Sequence, residues 1–521
     1  MRKPRRPSVL LSASVAAVAF VALFAGVSRA QEFAIGEIVE RTVCLKDAGQ
    51  SYALYLPSSF DPARTWPVLF LFDPGARGTL AVAAFREAAE TYGWILIGSN
   101  NSRNGPRRDN ALAAQAVWAD ALMRLPLDAR RVYASGFSGG ARAASAFPQY
   151  VGRAIAGVIG CGAGIAEGLD PRSLNAAAYF GLAGLADFNY GEMKGLDLAL
   201  DPSGIPHAFY YFEGTHDWPD PASCARAAGW MEVVAMQQGL RPKDPALAGL
   251  VIGRELDDAG TLENAGRIYW ACERLEAATL LARGLDLDLA GLQDLPSRVA
   301  KLKARKEYGQ FLDAEKARDR KESEFRTSFG RAFGAVEDPE TGGTSAVPRV
   351  LQEMGIGFLK KDAKNAKSIE ARSLASRLLF EFSFAAQARA AALRDRRDFG
   401  RSAAYWDLAI AACEEGLPRE KSLYYARAGV AAASGDRKTA LKCLSAAVDK
   451  GFVDLELLER DRDFDPIRDT AGFREILARI RTKISGAPQH LGGFPSYSHR
   501  DRPYAARSSR PLSDPASEPE R

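Results

Sequence analysis

From about residue 36 to 240 the chain repeats one pattern, a short apolar run followed by a turn and a stretch with helical spacing. Residues 67–72, Pro-Val-Leu-Phe-Leu-Phe, form an unbroken apolar run, as a strand buried on both faces requires. Similar β-rich runs fall at 52–56, 94–97, 131–134, 154–159, 178–182 and 208–212, with helical spacing at 80–92 and 111–123 between them. Strands joined by helices of about ten to fifteen residues need crossover connections, so the sheet is expected to be mostly parallel. From about residue 245 onward the β signals stop, and Ala, Leu, Arg, Glu and Lys dominate. The fold class expected is therefore an α/β domain at 36–240 followed by an all-α part.

Within the first part, Gly136-Phe137-Ser138-Gly139-Gly140 fits G-x-S-x-G. It follows the β-run 131–134 and precedes the helix-forming Ala141-Arg142-Ala143-Ala144, so its context is strand, sharp turn, helix. Such a turn lifts the Ser138 hydroxyl above the sheet edge. A serine hydroxyl is a weak nucleophile without a base beside it. The chain has four histidines: His207, His216, His490 and His499. His490 and His499 lie in a polar tail, and His207 opens the run 207–212, at the wrong end of a strand. His216 follows that run, at the carboxyl end where open α/β sheets place their sites. The acid is expected after the preceding run, 178–182, which makes it Asp187, with Asp217 and Asp201 as rivals. An oxyanion needs two N–H donors. Gly139 is expected to supply one, and Gly75 or Ala76 the other, because Pro74 has no N–H.

The loop 99–108 follows the run 94–97 and is expected on the same edge. Asn100, Asn101 and Arg103 are candidate substrate contacts there, and Arg103, Arg107 or Arg108 offers a guanidinium for a substrate carboxylate. Trp218, two residues after His216, is expected to wall the pocket or to pack.

These residues bring a resemblance into view. Residues 36–240 resemble the α/β-hydrolases, above all the group that includes polyhydroxybutyrate depolymerases and feruloyl esterases. The matching features are Tyr52-Ala-Leu-Tyr-Leu-Pro57, the run ending in Asp73-Pro74-Gly75, the pentapeptide around Ser138, Asp187, and Gly214-Thr215-His216-Asp217-Trp218. Members of that group usually carry His-Gly where this chain has Asp73-Pro74. Tannase-type relatives place cysteines beside the Ser and the His, where this chain has Phe137 and Asp217. The resemblance implies hydrolysis of a small or polymeric ester through an acyl-enzyme, with no metal or cofactor. A peptidase or an acyltransferase can use the same three residues, and an inactive hydrolase fold serving as a protein-binding module is the alternative from another class.

The second half divides into a helical region at 245–375 and a repeat-like region at 380–480. Tyr424, Ala428, Gly435, Ala440, Leu444 and Ala447 recur at tetratricopeptide spacings, and Ala404, Leu408 and Ala411 match the last three positions thirty-six residues upstream. The segment 452–468 resembles the end-of-group segment that closes such arrays. A protein partner is the role this resemblance implies.

Charge separates the amino terminus from the rest. Arg2, Lys3, Arg5, Arg6 and Arg29 account for the whole formal charge of +5, so the remainder is balanced and offers no bulk field for nucleic acid. The basic start, the apolar stretch 9–27 and Ser28-Arg29-Ala30 predict a signal peptide at 1–30, cleaved before Gln31, and a periplasmic or secreted mature protein. If the segment stays uncleaved it is a membrane anchor. Residues 485–521, rich in Gly, Pro, Ser and Arg, are expected to be disordered.

Overall fold

The computed structural model describes residues 33–285, 287, 292–414, 417 and 419–485. The expected signal segment, nearly all of the expected tail, and with it His490 and His499, lie outside the described residues. Two compact units divide the chain, one ending at Asp319 and the other beginning at Arg320.

The first unit is built on one sheet of eight strands: β1 (Ile38–Val43), β2 (Ser51–Tyr55), β3 (Trp66–Phe72), β4 (Ile95–Ser99), β5 (Leu127–Phe137), β6 (Gly157–Cys161), β7 (Tyr179–Gly184) and β8 (His207–Phe212). Their spatial order is β1-β2-β4-β3-β5-β6-β7-β8. The β1–β2 and β2–β4 pairs are antiparallel and all other pairs are parallel. In the unbroken apolar run of β3, Leu69 and Leu71 join the core on one face, while Val68, Phe70 and Phe72 join the core on the other. That alternation is what makes a two-faced strand read as a continuous apolar segment.

Helices α1 (Gly78–Tyr92), α2 (Arg107–Arg124), α3 (Gly139–Val151), α4 (Tyr190–Leu200) and α5 (Pro221–Gln237) make the connections and cover the sheet. The first residues of α5 explain its start: Asp220 accepts from Ser223 N at 2.9 Å, and Pro221 occupies the first helical position. From Ser223 to Met236 every residue of α5 is buried, so this helix has no solvent face. Helix α1 and the sheet cover one side of it, α6 (Pro245–Asn264) and α7 (Ile268–Ala282) pack on it as well, and α8 (Leu295–Lys303) packs on α7. Ile252, Ala271, Leu275 and Leu302 of these helices share one core with the sheet. The core of the strand-bearing unit thus continues past residue 240, where the apolar β pattern ends.

The chain passes from one unit into the other along α9 (Lys306–Glu337). The second unit is helical throughout its described residues: α10 (Val347–Glu353), α11 (Ile356–Asn365), α12 (Ile369–Asp395), α13 (Phe399–Ala412), α14 (Glu420–Ala433), α15 (Arg437–Asp449), α16 (Leu455–Arg460) and α17 (Ala471–Ser485). Helix α12 packs on α13, and α14 on α15. The small and aliphatic residues singled out by spacing fill these contacts: Ala404, Leu408, Ala428, Ala440, Leu444 and Ala447 are fully buried. Among the described residues no helix is long and apolar enough to cross a membrane.

Candidate active site

Strand β5 ends at Phe137, and α3 begins at Gly139, so Ser138 makes the whole turn between them. Its backbone sits at φ 54°, ψ −121°, a conformation that costs a residue with a Cβ. The turn is so tight that a Cβ on Gly136 would lie 2.3 Å from the backbone of Gly140, and one on Gly140 would lie 2.0 Å from Phe72 O. Ser138 N donates to Cys161 O at 2.8 Å, which anchors the turn to the end of β6.

The loops after β7 and β8 run side by side. Leu185 N donates to Phe212 O at 2.8 Å, and Ala186 N donates to Gly214 O at 2.9 Å. Gly184 permits this approach, because a Cβ there would lie 2.4 Å from Gly214 O. The pairing places Asp187 against His216. The imidazole Nδ1 lies 2.8 Å from Asp187 Oδ1, and Nε2 lies 3.0 Å from Ser138 Oγ. Three side chains far apart in sequence therefore meet at one sheet edge. Asp187 is 1% exposed; its Oδ1 also accepts from Asn189 N at 2.8 Å, while its Oδ2 has no hydrogen-bond partner among the described residues. The imidazole is flanked by Phe137 and Phe188, with ring centroids at 4.6 and 4.2 Å. A buried carboxylate on one ring nitrogen fixes the tautomer and leaves the other nitrogen able to take a hydroxyl proton.

The rival acids lie elsewhere. Asp217 is exposed and accepts from Trp218 N. Asp201 faces the other histidine, with Oδ1 3.5 Å from His207 Nε2. Cys161 is near the site but is no rival nucleophile, because burial pushes its thiol up to about 12. It is not in a disulfide, nor are the other five cysteines. Among the described residues there is no group of acids, histidines and cysteines that could hold a metal ion.

Two expectations for the surrounding shell need correction. Gly139 N–H heads α3 and belongs to the first turn, which has no intrahelical acceptors for its N–H groups. Gly75 N and Ala76 N, expected to face it, are spent inside their own turn. Gly75 N donates to Asp73 Oδ1 at 2.8 Å, and Ala76 N donates to Asp73 O at 3.1 Å. Asn100 and Asn101 are likewise spent. Asn100 Nδ2 donates to Glu40 O, while Asn101 bridges Ser51 N and Gly49 O, so both tie their loop to the β1–β2 hairpin. Arg103 stays exposed at the site's edge, where its residue bridges Gly75. Trp218 is half-buried against Phe137 at 5.8 Å, and its Nε1 donates to Asp73 Oδ2 at 2.8 Å.

Sequence reasoning missed Asp73 and Asn104. The Asp73 carboxylate is fully buried and also accepts from Arg77 Nε and Nη2 at 2.8 and 2.9 Å. The four-residue spacing of Asp73 and Arg77 was the signal available in the sequence. Asn104 lies against Gly139 so closely that a Cβ there would be 1.8 Å from Asn104 Oδ1. No sequence pattern marks that contact.

No family profile and no curated protein matches the chain. Solved structures do. An S-formylglutathione hydrolase of Staphylococcus aureus is 16% identical over 35% of this chain and 90% of its own, with a TM-score of 0.29. A propionate-bound esterase of Thermogutta terrifontis is 15% identical over 39% of this chain and 96% of its own, with a TM-score of 0.30. A ferulic acid esterase is 16% identical over 37% of this chain and 97% of its own, with a TM-score of 0.29. The first unit has the α/β-hydrolase fold. Its sheet order and the serine turn after β5 are those of that fold, and a helical region follows it.

Proposed function

We propose that this chain hydrolyses a carboxylic ester through an acyl-enzyme on Ser138. The observation that carries the reading is His216, hydrogen-bonded to Ser138 Oγ on one side and to Asp187 on the other. His216 Nε2 takes the proton as Ser138 Oγ adds to the ester carbonyl, and Asp187 stabilises the imidazolium that forms. Gly139 N–H steadies the oxyanion. The alcohol leaves with the proton from His216. Water, deprotonated by the same nitrogen, then adds to the acyl group, and Ser138 is released with a carboxylic acid as product. The cycle consumes one water and needs no metal or cofactor.

The rest of the assignment follows the sequence. The basic and apolar start fits an exported protein of the periplasm or exterior. The paired helices with buried alanines at tetratricopeptide spacings fit a protein-contact role for the second unit. The test uses the chain from residue 31 and its Ser138→Ala variant. Fluorophosphonate labelling and para-nitrophenyl ester hydrolysis are expected in the first and absent in the second. Equal labelling or equal turnover in the variant overturns the reading.

A further inference from the structure

We infer that the substrate is an ester bearing a carboxylate, held by Arg103 and Arg107 in the cavity beside Gly139; this rests on the ester-hydrolase reading. The cavity has a volume of about 190 Å³ and reaches the site at Gly139 and Asn104, while Ser138 and His216 are not among its walls. It is smaller than the ~300–1,000 Å³ of pockets that enclose a whole drug-sized ligand, so it takes one arm of a substrate whose reacting carbonyl lies outside it.

Three arginines and one acid line this space: Arg103, Arg107, Arg142 and Glu167. They are not equivalent. The Arg142 guanidinium is held by both oxygens of Glu192, at 2.8 Å each, so its charge is already balanced. Arg107 lies beside the Tyr150 phenol, which burial pushes up while the Arg107 guanidinium opposes the rise. Among the described residues neither Arg103 nor Arg107 has an ion pair, and Glu167 has none either. Two guanidinium groups thus stand against one carboxylate, in a cavity that Gly139 also lines. Arg108 is exposed and is not part of the wall.

The loop holding Arg103 is fixed. Asn104 N donates to Pro74 O at 2.8 Å, Arg103 N donates to Asn110 Oδ1 at 2.9 Å, and residue 103 bridges Gly75. A guanidinium meets a carboxylate as a planar fork of donors, and the fixed backbone sets where the Arg103 side chain starts. A neutral ester makes no such contact.

Two matched pairs of esters test this. One is para-nitrophenyl butyrate against the para-nitrophenyl monoester of glutaric acid, with the charge on the acyl arm. The other is phenyl acetate against meta-carboxyphenyl acetate, with the charge on the alcohol arm. The charged member of at least one pair is expected to have the higher kcat/KM, by about tenfold at low salt. Arg103→Gln and Arg107→Gln are each expected to lower that value by about fivefold to tenfold, mainly through KM, and to lower the neutral member's value by clearly less. Glutarate binding to Ser138→Ala, followed by calorimetry, is expected to weaken in the same two variants. Hydrolysis of neutral and charged esters alike, with no effect of either variant, overturns this inference and spares the hydrolase reading. Absence of all ester hydrolysis, with glutarate binding still dependent on both arginines, overturns the hydrolase reading and keeps the anion site.

Discussion

Trp218 Nε1 donates to Asp73 Oδ2 at 2.8 Å, and this one hydrogen bond ties the loop carrying His216 to the turn after β3. Asp73 is fully buried and is shared with Arg77 and Gly75 N, so the turn and the His216 loop converge on one carboxylate. Trp218→Phe keeps the ring and removes the donor. Stability is expected to fall by about 1 kcal/mol. Ester turnover is expected to fall severalfold in kcat with KM little changed, because the loosened loop holds His216 less well. Asp73→Ala leaves the Arg77 guanidinium and the indole N–H without their acceptor and is expected to cost about 2–3 kcal/mol, a figure reduced for the partial exposure of Arg77. Urea unfolding and steady-state kinetics on both variants separate the two roles. A Trp218→Phe enzyme with unchanged kcat removes the positioning role and leaves a packing one.

Ser138 holds a positive φ of 54° for the sake of its position at the turn. Ser138→Gly is expected to abolish hydrolysis and also to raise stability by about 1 kcal/mol, because glycine adopts that backbone without the Cβ penalty. Ser138→Ala is expected to abolish hydrolysis without the gain. Thermal unfolding of the two variants side by side checks this. Equal Tm values for Gly and Ala at 138 mean that the turn stores no strain.

Strands buried on both faces, such as β3 and β4, are legible because core demand writes an unbroken apolar run, and the half-buried edge strand β8 is legible because its run Ala-Phe-Tyr-Tyr-Phe is aromatic and uncharged. Strand β1 (Ile-Val-Glu-Arg-Thr-Val) escaped notice because it sits at the sheet edge, half exposed, and carries charge at its centre. Ser138, Asp187 and His216 were legible because each follows a recognisable run, and chemistry at the carboxyl ends of strands restricts the choice. The shell around them was not. Whether the Gly75 N–H faces a substrate or its own Asp73, and whether Asn101 faces a ligand or the hairpin, depends on hydrogen bonds between segments about fifty residues apart in the latter case. Local pattern carries no record of such bonds. The same holds for α6 and α7: their apolar faces predict packing, and only the fold says that the partner is α5.

Asp197 offers a pH test away from the site. Burial pushes its carboxyl from 3.8 up to about 6, with the His207 imidazole opposing the rise and Asp201 adding to it. Its Oδ1 lies 3.6 Å from His207 Nε2, and Glu273 on α7 interacts with it as well. A carboxyl whose folded value is raised contributes no penalty below its unfolded value, and the penalty builds as pH climbs towards the folded value. Asp197→Asn is therefore expected to leave stability unchanged or slightly lower near about pH 4 and to raise it near about pH 8. The gain is roughly 1 kcal/mol once the 40% exposure of the side chain is allowed for. Urea unfolding at the two pH values reads the difference. A gain confined to the acid side reverses the sign and refutes the assignment.

A chain ending at residue 240 keeps Ser138, Asp187 and His216 and every strand, yet it is expected not to fold. Helix α5 is buried along its length, and the cut removes α6 and α7 from over it while leaving α1 and the sheet. Arg226, 8% exposed, loses Glu255 and Asp258, its two acidic partners on α6. Gln237 Nε2 loses its acceptors Leu280 O and Leu281 O, at 3.0 and 2.9 Å. Arg274, which like Arg226 lies over the Tyr210 ring of β8, is lost with α7. Each large aliphatic residue left without cover forfeits about 1.5–3 kcal/mol, against a total stability of about 5–15 kcal/mol for a domain, so exposing the core that Val251, Ile252 and Leu275 packed against is enough. The chain from residue 31 to 319 retains all of these contacts and is expected to be soluble, to unfold cooperatively and to react with a fluorophosphonate at Ser138. The 31–240 chain is expected to be insoluble, or to bind an anilinonaphthalene dye and unfold without a sharp transition. Cooperative unfolding of the shorter chain, at a Tm matching the longer one, means that α6–α8 form a separate layer after all.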